Sequence, residues 1–453
     1  MSANVFPPPT GTAAPPPPAI SARFVHERWR NLIFSVLCMV MIANLQYGWS
    51  VFVLPMQHRH GWALSAIQGV FTIFIALETW ATPMNGWIAD RLGPNIGPRV
   101  VMGAGGILVA IGWIINSYAN SLSTMYVGAA LSGLGAGAVY CTSVGTAVKW
   151  FSDRRGLAAG LVAGGYGGGT ALTIIPIRML IEAKGYNAAF FWNGLIMGAG
   201  VLILSQFIRY PHPGEVPAAA NIKVKQTSRS YTAHEMLTNR VFWVLYLLDL
   251  LMCASGLMVT AYLAPIAASY HISNVAVFMS ATALSVALVF SSVMNGLARP
   301  FFGWVSDHIG LSTTMAIAFG LGAAAYCLLG LTGRNPWGFI FFAGMVFFCW
   351  GEIFSLFPSM CTDLFGSKYA TTNTSLLYTA KGAAAFLVPL GAIAATAIGS
   401  WNGVLYLTTG INIIAVLLVL FVLRPAANRN HAKDEIAMLN ATYQVKGTEV
   451  EVH

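Results

Sequence analysis

The chain has 453 residues, of which 57% are hydrophobic and 9% charged, with a formal net charge of +9 and a mean hydropathy of +0.67. A soluble domain carries about 25% charged residues, so this composition cannot form one soluble core, and most of the chain must face lipid. Six cysteines (Cys38, Cys141, Cys253, Cys327, Cys349 and Cys361) are scattered singly, with no CxxC and no metal spacing, and read as small apolar packing residues.

Residues 1–29 hold PPP and PPPP runs and no apolar signal-peptide core, which predicts a disordered cytoplasmic tail. Six apolar stretches follow, at 31–55, 66–88, 98–117, 122–148, 157–181 and 187–208. A polar segment at 209–239, with PHPGE and KVKQTSRS, reads as a cytoplasmic linker. Six more apolar stretches lie at 241–268, 275–305, 312–332, 336–363, 371–398 and 402–423, and a polar cytoplasmic tail closes the chain at 425–453. Each stretch suits a helix of about 20 residues or more, long enough to cross about 30 Å of hydrocarbon. Twelve spans put both termini on one side. With that side cytoplasmic, all but six of the 24 Lys and Arg fall in cytoplasmic segments; Arg59, Lys184 and Arg334 lie outside, and Arg178, Arg299 and Lys381 lie within spans. The positive charge is therefore a topology signal and not a nucleic-acid footprint.

Near the end of the second stretch the chain reads GWIADRLG from position 86, and near the end of the eighth it reads GWVSDHIG from position 303. WFSDRRG from 150 and LFGSKYA from 364 make a weaker pair, each following the fourth span of its half. Similarity at a fixed offset marks an internal repeat. The expected fold is an all-α membrane protein of twelve transmembrane helices in two pseudo-symmetric six-helix halves, 30–208 and 240–424. Two parallel six-span repeats holding a substrate between them is a transporter architecture. The two octapeptides resemble the loop motif of the major facilitator superfamily. In that motif Gly86, Gly93, Gly303 and Gly310 permit tight turns and close helix approach. Asp90, Arg91 and Asp307 are the gating charges, with Asp90 placed to cap a helix or to ion-pair across the cytoplasmic gate.

Charges inside a membrane are costly and therefore informative. Arg299 lies eight residues before Asp307 and Lys381 ten after Thr371, about 12 and 15 Å from the cytoplasmic side by helical rise. Two cations at one depth read as a clamp for an anion, best a small dicarboxylate, since Arg grips a carboxylate bidentately and Lys adds a point charge. Gln46 and Tyr47, Tyr140, Tyr166, Trp350, Phe354 and Tyr378 fall near the same depth and would line the pocket. Three acids also lie near mid-depth: Glu78, Asp249 and Glu352. They are the candidates for proton coupling, Glu78 first among them. Glu352 is two residues from Trp350, about 200° around the helix, and is expected to face away from the cavity.

LQYGWSVFVLP (45), WFSDRRGLAAGLVAGGYGGG (150), NRVFWVLY (239), ARPFFGWVSDHIG (298), CWGEIFSLFPS (349) and YTAKGAAA (378) together resemble the bacterial oxalate:formate antiporter family along both halves. The resemblance implies that Arg299 and Lys381 bind the dicarboxylate, that the aromatic positions enclose it, and that the chain sits in a bacterial inner membrane. The sequence departs from that family at Glu78, where an uncharged amide can stand, at Phe354, which lacks a hydroxyl, and at Tyr378, where a larger Trp would fit.

The expected function is exchange of small carboxylate anions, dicarboxylate against monocarboxylate, with proton-coupled monocarboxylate symport as the alternative. GxxxxGK[ST], HExxH and GxSxG are all missing, so neither an enzyme nor ATP-driven transport is expected. GLGAG (133–137) lies inside a span and reads as packing. No cofactor or metal is expected, the partners are carboxylate anions and lipid, and the functional unit is expected to be a monomer.

Overall fold

The computed structural model describes residues 22–151, 154–212, 214–216, 229–278, 281–366 and 369–429. Most of both tails and most of the linker lie outside the described residues, as do Ser152, Asp153, Ser367 and Lys368 of the weaker repeat pair. Among the described residues, eleven helical stretches are long and apolar enough to cross a membrane, one of them the 50-residue stretch Gly156–Ser205. Gly185 (φ 82, ψ 163) divides that stretch in two, and the twelve expected spans result.

Spans one and two are each built from two helices, α1 (Ala22–Tyr47) with α2 (Ser50–His60), and α3 (Leu64–Trp80) with α4 (Thr82–Arg91). Span one thus starts at Ala22, nine residues before the expected 31, because ARFVHERWR is helical although polar. Span three is α5 (Gly97–Tyr118) and span four is α6 (Leu122–Trp150). Span five runs from α7 (Arg155–Gly168) through a 3-10 turn at Gly169–Leu172 into the first part of α8 (Ile174–Ser205), whose remainder after Gly185 is span six. A short helix α9 (Ala233–Thr238) precedes span seven, α10 (Arg240–Ser269).

Hydropathy opens span eight at 275, but strands β1 (Ala276–Phe278) and β2 (Ala281–Thr282) form an antiparallel hairpin there. The helix α11 (Ala283–Ile309) starts only after Thr282, whose side chain caps it by accepting from the Ser285 amide. Span nine is α12 (Leu311–Thr332). Span ten is α13 (Pro336–Gly351) with α14 (Ile353–Phe365), span eleven α15 (Ala370–Ala385) with α16 (Val388–Ile398), and span twelve α17 (Trp401–Leu418). Polar caps set several of these starts: Ser121, Asn239, Asn335 and Ser400 each accept from the amides of the first turn, as N-cap chemistry requires.

Large apolar side chains such as Ile33, Ile203, Leu331, Phe341 and Phe421 stand exposed around the bundle. In water they would form an aggregating patch, and in hydrocarbon they are the lipid face. The buried sides meet between the halves, where α3 packs on α15 and α16, and α7 on α11. At the α7–α11 contact a Cβ built on Gly296 would lie 3.2 Å from the Gly168 Cα. The two backbones come close there, and the approach is tight for any side chain at position 296.

The octapeptide loops hold two glycines at positive φ, Gly93 at +85 and Gly310 at +86, a conformation L side chains avoid. A Cβ on Gly86 would meet Cys141 Sγ at 3.2 Å, whereas Gly303 has open space beside it. Asp90 does ion-pair, but with Lys149 at the end of α6. That pair joins spans two and four of one half and does not bridge the gate between halves, because α4 packs against α6. Arg91 lies 5.0 Å from the Trp87 ring centre on its own helix, and Asp307 is exposed on the last turn of α11.

Candidate functional site

The spans that carry the predicted pocket are mostly those that break. Breaks fall at Gly48–Trp49 in span one, Ala81 in span two, Gly169–Thr173 in span five, Glu352 in span ten and Phe386–Leu387 in span eleven. Irregular backbone at membrane depth is tolerated only where protein or a cavity covers it, and the breaks at Gly48–Trp49, Ala81 and Glu352 are buried.

Arg299 is 1% exposed. Its Nη1 donates to the Ala163 carbonyl on α7, and its Nη2 donates to Tyr47 Oη and Asn295 Oδ1, both at 3.3 Å. The guanidinium carbon lies 4.4 Å from the Phe354 ring centre. Among the described residues no carboxylate pairs with Arg299, and its Nε has no acceptor. Gly167 on span five stands against this group: a Cβ there would lie 2.5 Å from Asn295 Oδ1 and 3.0 Å from Arg299 Nη2 and would push both side chains aside.

Lys381 is fully buried and is paired. Its Nζ donates to Gln46 Oε1 at 2.8 Å, Glu78 Oε2 at 2.9 Å and Tyr378 Oη at 3.2 Å. Both partners in the Lys381–Glu78 ion pair have no side-chain exposure. Tyr166 Oη donates to the other Glu78 oxygen at 2.7 Å and to Gln46 Oε1 at 3.2 Å. Glu78 is thus held at both oxygens.

Aromatic rings join the two cations into one site. Tyr47 meets Tyr166 at 5.4 Å and Trp350 at 6.1 Å between ring centres, and Trp350 meets Phe354 at 5.6 Å. Tyr140 stacks on Tyr378 at 5.5 Å and lies 5.5 Å from Tyr166. Phe354 is the shared ring, since Lys381 Nζ also lies within 5.6 Å of its centre. All nine residues expected at the pocket therefore fall in one cluster between the halves. Tyr140, Phe354 and Tyr378 are its half-buried members and line a small cavity with Asp249, Pro358 and Leu377.

The other two acids stand apart from this network. Asp249 accepts from Cys253 Sγ at 3.4 Å and faces the small cavity. Glu352 sits at the span-ten break, fully buried, with neither carboxylate oxygen bonded to a described residue. Asn295 is a site residue that sequence reading passes over, and Gly167 reads there only as part of a Gly-rich stretch that packs span five. Asn295 is four residues before Arg299, hence on the same helix face, and Gly167 stands in the GGYGGG run; those two signals could have found them.

A family model described as Major Facilitator Superfamily matches residues 34–389 and 279–442. The oxalate:formate antiporter of Oxalobacter formigenes is 33% identical over 405 residues, covering 89% of this chain and 93% of that protein. Monocarboxylate transporter 11 of Homo sapiens is 25% identical over 280 residues, 59% of this chain and 55% of that protein. A solved peptide transporter, a point mutant in complex with sulfate, superposes with a TM-score of 0.68 over 88% of this chain and 95% of its own, at 15% identity. At that identity the likeness concerns the fold.

Proposed function

The chain belongs to the Major Facilitator Superfamily, and from that premise we propose that it carries small carboxylate anions by alternating access, exchanging a dicarboxylate of oxalate size for a monocarboxylate. The observation that carries this reading is Arg299: a fully buried guanidinium between the two halves, with no acid partner among the described residues and with Lys381 near the same phenyl ring. An uncompensated buried cation is costly, and a bound anion is the group that would relieve it. The likeness to a protein named for oxalate and formate exchange supports the same class. Proton-coupled monocarboxylate symport is the second reading, favoured by the acid already seated at Lys381. The distribution of Lys and Arg supports cytoplasmic termini in a bacterial inner membrane, and one chain contains every residue of the site, which supports a functional monomer.

The test is a ligand panel of carboxylates, amines and sugars against the purified protein, read by thermal stabilisation and then by uptake into proteoliposomes. Stabilisation and uptake by small carboxylates alone are expected. Stabilisation by amines or sugars with no carboxylate effect would sink the proposal, and binding without uptake would mark a receptor.

A further inference from the structure

Resting on the carboxylate reading above, the geometry points to a specificity role for Glu78: it is a resident carboxylate that occupies at Lys381 the place one end of a dicarboxylate would take. We infer that the pocket accepts a monocarboxylate as it stands, and accepts a dicarboxylate only together with one proton, which Glu78 receives.

The argument starts from charge. Arg299, Lys381 and Glu78 are all within 1% of complete burial, and with Glu78 ionised they sum to a single positive charge. One monoanion neutralises that site, whereas a dianion leaves it net negative in a low-dielectric enclosure, a costly state. Adding a proton to Glu78 restores neutrality with the dianion bound. Both loaded forms then carry the same charge through the membrane.

The free hydrogen-bonding capacity agrees. Lys381 spends its three donors on Glu78, Gln46 and Tyr378, and each Glu78 oxygen has a donor, Lys381 or Tyr166. The unpartnered buried donors among the site residues are Arg299 Nε, Asn295 Nδ2, Trp350 Nε1 and, beside Lys381, Gln46 Nε2. Two of these belong to the Arg299–Asn295 contact. A buried donor without an acceptor costs about 1–3 kcal/mol, so the greater lack of acceptors is on the Arg299 side. There is room in this accounting for one carboxylate, at Arg299.

For a second carboxylate to reach Lys381, Glu78 must let go of Nζ. A proton does this without moving the helix: the neutral acid can still accept from Tyr166 and no longer holds the ammonium by charge. The groups facing Glu78 are Lys381 and Tyr378 on α15, Tyr166 on α7, Gln46 and Tyr47 on α1, Tyr140 on α6 and, across the ring cluster, Arg299 on α11. Of the other helices packed on α3, α16 carries no titratable residue, while those of α2 and α4 (His58, Arg59, His60; Asp90, Arg91) stand at helix ends. Glu78 is the single acid of this set at the depth of the clamp.

The experiment measures formate and oxalate affinity for wild-type protein and for Glu78→Gln from about pH 6 to pH 8, where both ligands stay ionised, carboxyl groups having ordinary values near 4. One proton taken up per dianion makes wild-type oxalate affinity fall about tenfold for each pH unit of rise, and formate affinity should change less than about threefold. Glu78→Gln should bind oxalate at least tenfold more tightly at pH 8, lose the pH dependence and bind formate more weakly. Oxalate affinity in wild type that ignores pH overturns the inference. So does a Glu78→Gln protein with an unchanged oxalate-to-formate preference. If the variant does not fold, the wild-type pH profile decides alone. If neither anion binds either protein at any pH, it is the carboxylate reading that fails.

Discussion

Lys381 and Arg299 have different surroundings, and substitutions should separate them. Lys381→Ala removes the partner of a fully buried carboxylate, and breaking a buried pair from one side costs about 3–5 kcal/mol. The double variant Lys381→Ala with Glu78→Gln leaves no orphan charge and should recover most of that loss; thermal denaturation in one detergent measures both. Additive losses would show that the pair is not coupled. Arg299→Lys keeps the charge but loses the planar fork. A charge-assisted hydrogen bond contributes about 1.5–3 kcal/mol, so carboxylate affinity should fall about tenfold or more, and near-normal binding by this variant would move the clamp elsewhere. The two cations were legible in the sequence because charge stands out in an apolar stretch. The pairing of Lys381 with Glu78 was not, because the two lie 303 positions apart and no local pattern encodes which helices meet.

Hydropathy located the twelve spans because each must cover the same thickness of hydrocarbon. It could not locate their breaks. Pro55, Pro265, Pro300 and Pro358 all sit inside continuous helices, whereas Pro83 and Pro389 open the helices that follow the breaks at Ala81 and Phe386–Leu387, so a proline alone does not tell a break from a continuous span. Nor could it find the clasp that ties the segment after span six to the first helix. Arg209 grips Glu215 with Nη1 at 2.7 Å and Nη2 at 3.0 Å, and reaches Glu27 on α1 at 3.2 Å. These hydrogen bonds from Arg209 bring the Glu215 carboxyl down from 4.5 to about 2. A lowered value means that the stabilisation is present above pH 4.5 and is lost as pH falls toward 2. Glu215 is about one-third exposed, so solvent screening limits the contribution to about 1 kcal/mol. Glu215→Gln should therefore melt a few degrees lower than wild type at neutral pH, with the gap closing as the pH is taken below 4.5. A gap that stays constant with pH would show that the charge is not what matters.

The repeat in the sequence foretold two halves, and the structure shows where they are fastened. Several hydrogen bonds between the halves lie at the level of the clamp or on the face away from the termini. Trp80 Nε1 donates to the Thr379 carbonyl near the clamp. Farther out, Thr72 Oγ1 donates to the Ala385 carbonyl at 2.9 Å and Gln68 Nε2 to the Ala261 carbonyl at 3.2 Å. Arg178 donates to Thr282 and Ser285 at 2.7 Å each. Sequence alone could not show this, because such contacts differ between conformations of one chain. Alternating access requires the outer bonds to part each cycle, with the Gly168–Gly296 contact between α7 and α11 left as the natural pivot. Thr72→Cys with Ala385→Cys, in protein whose six native cysteines are replaced by alanine, places a thiol on each side of one such bond. Joining them by oxidation or a short bis-thiol reagent should abolish carboxylate uptake into proteoliposomes, and cleavage of a disulfide by reductant should restore it. Arg59→Cys with Asn187→Cys is the control, since these residues touch at 2.7 Å on the same face but within one half; a bridge there should leave uptake intact. Transport by the protein crosslinked between positions 72 and 385 at the rate of its reduced form would mean that the halves do not separate on this face, and that the movement which releases the anion runs elsewhere in the bundle.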